Sequence, residues 1–127
     1  MEKSKIIYPE LSYKIIGFCY ELFNEIGGSV PEKAVKKGLK LFFAENNLRY
    51  KEELYWPIVA KGEILGSYYF DFLIDGKIVL ELKVGDKLKL KDYEQLKDYL
   101  DQNKLKLGLL VRFGRDGVEF RRILNLY

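Results

Sequence analysis

From Ser12 to Ile26 the apolar residues Ile15, Ile16, Cys19, Leu22, Phe23 and Ile26 recur at three- and four-residue spacing, the repeat that lines one face of an α-helix. Gly27-Gly28 ends the run, because glycine accepts the left-handed conformation found at helix C-termini. A second helix is expected at once. Ser29-Val30-Pro31-Glu32 reads as a capping box, in which Ser29 accepts from the Glu32 amide and the Glu32 carboxylate reaches back. Val35, Leu39, Phe42 and Phe43 form its buried stripe, Lys33, Lys36, Lys37 and Lys40 its solvated side, and Asn46-Asn47 its end.

The period changes at Arg49. Segments near Tyr50–Ala60, Ile64–Ile74 and Lys77–Val84 are rich in β-branched and aromatic residues and are separated by Lys61-Gly62-Glu63 and Asp75-Gly76, which predicts a three-stranded meander. A helix over about Leu88–Asn103 follows, then a strand at Leu107–Val111, a turn at Gly114–Gly117 and a last strand near Val118–Ile123. The order is α-α-β-β-β-α-β-β, an α/β chain with a mixed sheet flanked by helices. The passage from Ile78 to Val111 is expected to be a right-handed parallel crossover.

The Asp75-Gly76 turn decides which side chains share a face. A two-residue loop mixes polar and apolar residues on both faces. A three-residue loop, with Gly76 left-handed at a G1 bulge, sets Tyr69, Asp71, Leu73, Lys77, Val79, Glu81 and Lys83 on one face and Phe70, Phe72, Ile74, Ile78, Leu80, Leu82 and Val84 on the other. Burying that apolar row at ~1.5–3 kcal/mol per large side chain favours the odd loop. Asp71, Glu81 and Lys83 then point the same way from adjacent strands.

Composition narrows the chemistry. The 127 residues, 48% hydrophobic and 32% charged, suit one globular domain over residues 1–127 with no membrane span. The first five residues lead into no secretory hydrophobic region and Cys19 is the lone cysteine, so a reducing cytoplasm is the expected compartment. The absence of histidine removes Ser-His-Asp and Cys-His hydrolases, zinc fingers and His-ligated metal centres. Carboxylates, Lys, Tyr and a hard cation held by oxygen remain. A net charge of +3 and pI of about 8.8 do not by themselves mark a nucleic-acid binder.

Two carboxylates and a lysine on one sheet face make an oxygen-rich site suited to Mg²⁺ or Mn²⁺. A metal there orients water and offsets phosphate charge, while Lys83 holds the attacking water or a transition-state oxygen. The reaction class is phosphodiester hydrolysis. Asp71, nine residues, then Glu81-Leu82-Lys83 resembles the D-x(n)-ExK core of the PD-(D/E)xK nucleases. Gln95 to Tyr99 resembles the QxxxY motif of RecB-type nucleases. From Leu11 to Ile123, including Gly108–Gly114, the chain is similar to the small GxxExxY proteins of that superfamily, with Glu32 matching the signature Glu, Ser29 standing at its Gly and Val35 at its Tyr.

The resemblance implies a restriction-endonuclease-like core and a Mg²⁺- or Mn²⁺-dependent nuclease. Asp71, Glu81 and the Leu82 carbonyl become metal ligands, Lys83 the catalytic lysine and Glu32 an acid near the metal. Gln95 and Tyr99, with Lys91 one turn earlier, contact substrate or steady the site. DNA is favoured over RNA as partner, and a homodimer that pairs two sites suits so small a domain. Plainer readings stand beside these. Asp71, Glu81 and Lys83 also fit an exposed salt-bridge row, and Glu32 needs no role beyond capping. Lys83, Lys87, Lys89, Lys91 and Lys97 are a phosphate-tracking ridge or a solvated helix start, and Arg112, Arg115, Arg121 and Arg122 a contact surface or sheet-edge protection. The alternative functions are a non-catalytic nucleic-acid-binding or interaction module on the same fold, and a structural subunit of a larger complex.

Overall fold

A five-stranded mixed sheet runs in the order β1-β2-β3-β4-β5 in a computed structural model that describes residues 6–126. Its strands are β1 (Tyr50–Ala60), β2 (Glu63–Ile74), β3 (Ile78–Val84), β4 (Leu107–Gly114) and β5 (Gly117–Leu124). The helices are α1 (Pro9–Ile26), α2 (Glu32–Glu45) and α3 (Leu90–Gln102). All neighbours are antiparallel except β3 and β4, which α3 joins as a parallel pair. The element order is the one the hydrophobic pattern predicts.

The helix starts differ from the expected ones. α1 begins at Pro9 rather than near Ser12, since proline costs nothing at a helix start where its missing N–H has no partner. Ser12 is buried in the first turn, donating to the Pro9 carbonyl at 3.2 Å and accepting from Arg122 at 2.9 Å. Ser29 does not cap α2. Pro31 occupies the cap position in an extended conformation (φ −65°, ψ 148°), and its ring disfavours a helical conformation at Val30, so the helix starts at Glu32. Glu32 is therefore the first helical residue, favourably placed on the positive end of the helix dipole. α3 starts at Leu90 rather than Leu88, where the Asp92 carboxylate accepts from the Lys89 N–H at 3.1 Å.

Two apolar layers cover the sheet. On one face Ile15, Cys19, Leu22, Val35, Leu39 and Phe43 from α1 and α2 pack on Phe72, Ile74, Ile78, Leu80 and Leu82. Gly38 lets α2 approach α1 closely, because a Cβ there would stand 2.6 Å from a Leu22 methyl. On the other face Leu96, Tyr99 and Leu100 from α3 pack on Leu54, Phe70, Val79, Leu110 and Ile123. No helix among the described residues is long and apolar enough to cross a membrane.

The β2–β3 register is the odd one: Phe72 opposes Leu80, Leu73 opposes Val79 and Ile74 opposes Ile78. Asp75 and Gly76 both have positive φ (55° and 67°), and the Lys77 N–H donates to the Ile74 carbonyl at 2.9 Å. These are the features of a type I′ turn with Lys77 as the extra residue, in place of the expected G1 bulge. One side chain also departs from the expected faces. Phe70 lies in the α3 layer with Leu73 and Val79, not with Phe72 and Ile74. Strict alternation therefore breaks at Asp71.

Candidate active site

That break is where the site forms. β2 and β3 pair as a ladder only as far as Phe72 and Leu80; beyond them two side chains take over the bonding. The Glu81 carboxylate accepts from the Asp71 N–H at 3.0 Å, and the Asp71 carboxylate accepts from the Leu82 N–H at 2.7 Å. These carboxyl oxygens take the place of ladder carbonyls, which lets the strands part without leaving the Asp71 and Leu82 amides unpaired. Asp71 and Glu81 are 6% and 3% exposed. Leu82, which follows Glu81 in sequence, is fully buried.

On the other side of β2, Glu53 lies between the Glu52–Phe72 and Leu54–Phe70 pairs with φ 57°. A left-handed conformation is costly for a non-glycine residue within a strand, and such strain collects at functional sites. Here it aims the Glu53 carboxylate at Lys36, whose ammonium pairs with it and lies 3.2 Å from the Asp71 carboxylate. Lys36 thus faces the site. Its assignment to the solvated side of α2 is corrected, because the parted strands leave a carboxylate for it to reach.

A second cation meets Glu81. The Tyr68 hydroxyl donates to the Glu81 carboxylate and accepts from the Lys83 ammonium at 2.9 Å. Lys83 also stands 3.6 Å from Glu81 and 3.5 Å from Asp92 on α3. Tyr68 is missing from the sequence-based site. Alternation sets it opposite Asp71, and only the break at Asp71 brings both to Glu81. Asp92 is likewise absent from that list, because its helix-start position explains it without a site.

The electrostatics follow from crowding. Burial, then the neighbouring Asp71 charge, hold the Glu81 carboxyl well above the usual carboxylate range. Burial and the Glu81 charge push the Tyr68 phenol up to about 12. Burial opposes the Lys83 charge, but the Tyr68 hydroxyl and Glu81 outweigh it and lift its pKa. Glu32, at the exposed rim, is raised by partial loss of water and then by Asp71, so it belongs to the same field.

The other expected site residues are more spread. Lys91 is exposed and lines a cleft with Lys83. Gln95 is half-buried on α3. Tyr99 belongs to the core, its ring 4.7 Å from Phe70, which in turn lies 4.9 Å from the Tyr68 ring. The arginines of the last hairpin are largely committed to structure. Arg112 and Arg121 grip Glu119, Arg112 also holds the Gly85 carbonyl, and Arg122 ties β5 to Ser12 and Ile7.

Among the described residues no three acidic or cysteine side chains converge enough to enclose a metal by themselves. Two carboxylates do meet, and Mg²⁺ usually takes one or two carboxylates with water and substrate phosphate rather than a full protein cage. The two buried carboxylates, Asp71 and Glu81, therefore offer oxygen donors of the kind a hard divalent cation takes.

The central strands part around a carboxylate pair beside a lysine. Residues 9–123 match the PD-(D/E)XK nuclease superfamily, and the chain belongs to it. A solved structure described as "Crystal structure of SSO0001" shares the fold, with a TM-score of 0.53 and 21% identity over 94% of this chain. The match spans 59% of that longer chain. A comparison with curated proteins gave no match.

Proposed function

We propose that this domain is a divalent-metal-dependent nuclease acting on DNA, with Asp71, Glu81 and the Leu82 carbonyl holding Mg²⁺ or Mn²⁺. The observation that carries this reading is the replacement of the β2–β3 ladder by the two buried carboxylates beside Lys83. When bound, the cation supplies Lewis-acid stabilisation of the phosphoryl group and a water of lowered pKa. Lys83, kept charged by Tyr68 and Glu81, orients the attacking water and stabilises the developing charge on phosphate rather than accepting a proton. Tyr68 spaces Lys83 from Glu81, Lys36 balances Asp71, and Glu32 adds negative charge at the rim of the metal site.

Tyr99 steadies Tyr68 through Phe70, while Gln95 and Lys91 line the approach on α3. These roles are the ones that the resemblance of Gln95 to Tyr99 to a QxxxY motif implies. The domain acts as a homodimer in a reducing cytoplasm, where Cys19, buried and with its thiol pushed up to about 12, is inert. Purified protein titrated with Mg²⁺ and Mn²⁺ is expected to cleave labelled DNA in preference to RNA. Glu81→Ala is expected to abolish cleavage, and equal cleavage by wild type and variant would overturn the reading.

One observation favours a second reading. Lys36 and the Tyr68–Lys83 pair already engage the oxygens that a metal requires, so the fold is self-neutralised without one. A non-catalytic nucleic-acid-binding module would bind DNA in a salt-sensitive way without turnover.

A further inference from the structure

Beside Lys83, between the end of β3 and the start of α3, lies a cleft of about 480 Å³ lined by Lys83, Asp86, Lys87, Lys89, Lys91 and Asp92. Four ammonium groups face two carboxylates there. Asp92 is already committed to the Lys89 N–H and to Lys83. Lys87, Lys89 and Lys91 are exposed and form no ion pair among the described residues, unlike Lys36, Lys40 and Lys77. Uncompensated positive charge therefore gathers at one wall of the candidate active site.

Lys89 borders a second hollow as well. This groove of about 300 Å³ has an apolar floor of Leu88, Leu90, Tyr93 and Leu110 and a polar rim of Glu119 and Arg121. Leu90 is 72% and Tyr93 43% exposed, an expensive way to begin a helix unless something covers them. The two hollows meet at Lys89, a positive wall leading from the catalytic lysine to an apolar seat with an aromatic ring. That sequence of surfaces matches a nucleotide strand, with its anionic backbone and flat apolar bases.

We propose that the Lys87, Lys89 and Lys91 cleft holds the phosphates next to the scissile one, and that the Leu88, Leu90 and Tyr93 groove seats an unpaired base from the same strand. The site takes a single-stranded segment, because a paired base cannot enter a groove in the protein surface. This inference rests on the nuclease reading and extends it to the path of the substrate.

The test is binding of a labelled single strand and of its duplex to the full chain in EDTA, where no cleavage occurs, over a range of salt. Lys87→Gln/Lys91→Gln is expected to reduce the slope of log Kd against log salt for the single strand by about 1.4, two contacts at about 0.7 each. Tyr93→Ala is expected to weaken single-strand binding about tenfold or more while leaving the salt slope and duplex binding unchanged. Thermal unfolding checks that both variants fold, as expected for exposed positions. Variants that bind like wild type would overturn the inference, and so would an equal loss of duplex and single-strand affinity on Tyr93→Ala. A wild-type protein that binds no nucleic acid overturns it as well. Metal-dependent cleavage by wild type is scored separately, so unchanged variants of a cleaving enzyme overturn the substrate path and leave the nuclease reading intact.

Discussion

Between Phe72 and Leu80, β2 and β3 are joined by backbone bonds and buried against Phe43 and Tyr50, whereas one residue further on the same strands are joined by the carboxylates of Asp71 and Glu81. The paired residues of the first half, Phe72 to Ile74 and Ile78 to Leu80, are all apolar. The second half holds two nearly buried acids, a lysine and a phenol within a few residues, and Lys36 reaches it from α2. The contrast teaches that the site is an exception to sheet pairing, made tolerable because the Asp71 and Leu82 amides each find a carboxylate. The apolar half supplies stability, and the polar half gives some of it up by crowding buried acids together.

The largest expected effect belongs to the polar half. Lys83→Met should reduce cleavage about 10²–10³-fold, measured as single-turnover rate at saturating metal in a variant that thermal unfolding shows to be folded. The apolar half should show the opposite. Phe72→Ala removes a fully buried ring and should cost about 3–5 kcal/mol in urea unfolding. A variant with lost stability but intact specific activity of the folded fraction would sharpen the division.

Asp71→Ala is intermediate. It leaves the buried Leu82 N–H without its acceptor, which should cost about 1–3 kcal/mol. Asp71→Asn keeps an acceptor oxygen and should recover most of that stability without recovering cleavage.

The smallest effect is a pH slope. The folded-state pKa of Glu81 lies above its ordinary value because of burial and Asp71. Between those two values the folded protein binds more protons than the unfolded chain, so this contribution to stability is greatest below the ordinary carboxylate range and is lost as pH rises toward the folded pKa. In EDTA the melting temperature of wild type should therefore fall more between about pH 5 and pH 8 than that of Glu81→Gln. Parallel curves would show that Glu81 does not carry this cost.

The order of elements and the odd β2–β3 register were legible because each rests on hydrophobic period, and one-residue slips move whole rows of side chains between core and solvent. The same period set Asp71, Glu81 and Lys83 side by side in the sequence reading, and they do meet in the fold. Tyr68, Lys36 and Glu53 were hidden by that period. Alternation assigns Tyr68 to the other face and helical period assigns Lys36 to solvent, and both assignments fail where Asp71 interrupts the ladder and Glu53 turns left-handed. Ser29 failed as a cap because Pro31 intervenes. A pattern read from regular elements locates a site but cannot list the residues gathered by an irregularity.

The account's central claim is that the parted strands at Asp71 and Glu81 form a cation site. Isothermal titration of Mn²⁺ into wild type and Glu81→Gln without nucleic acid tests it most directly. Saturable binding by wild type, lost in a folded Glu81→Gln protein, is the predicted result. Identical titrations of the two proteins would contradict it.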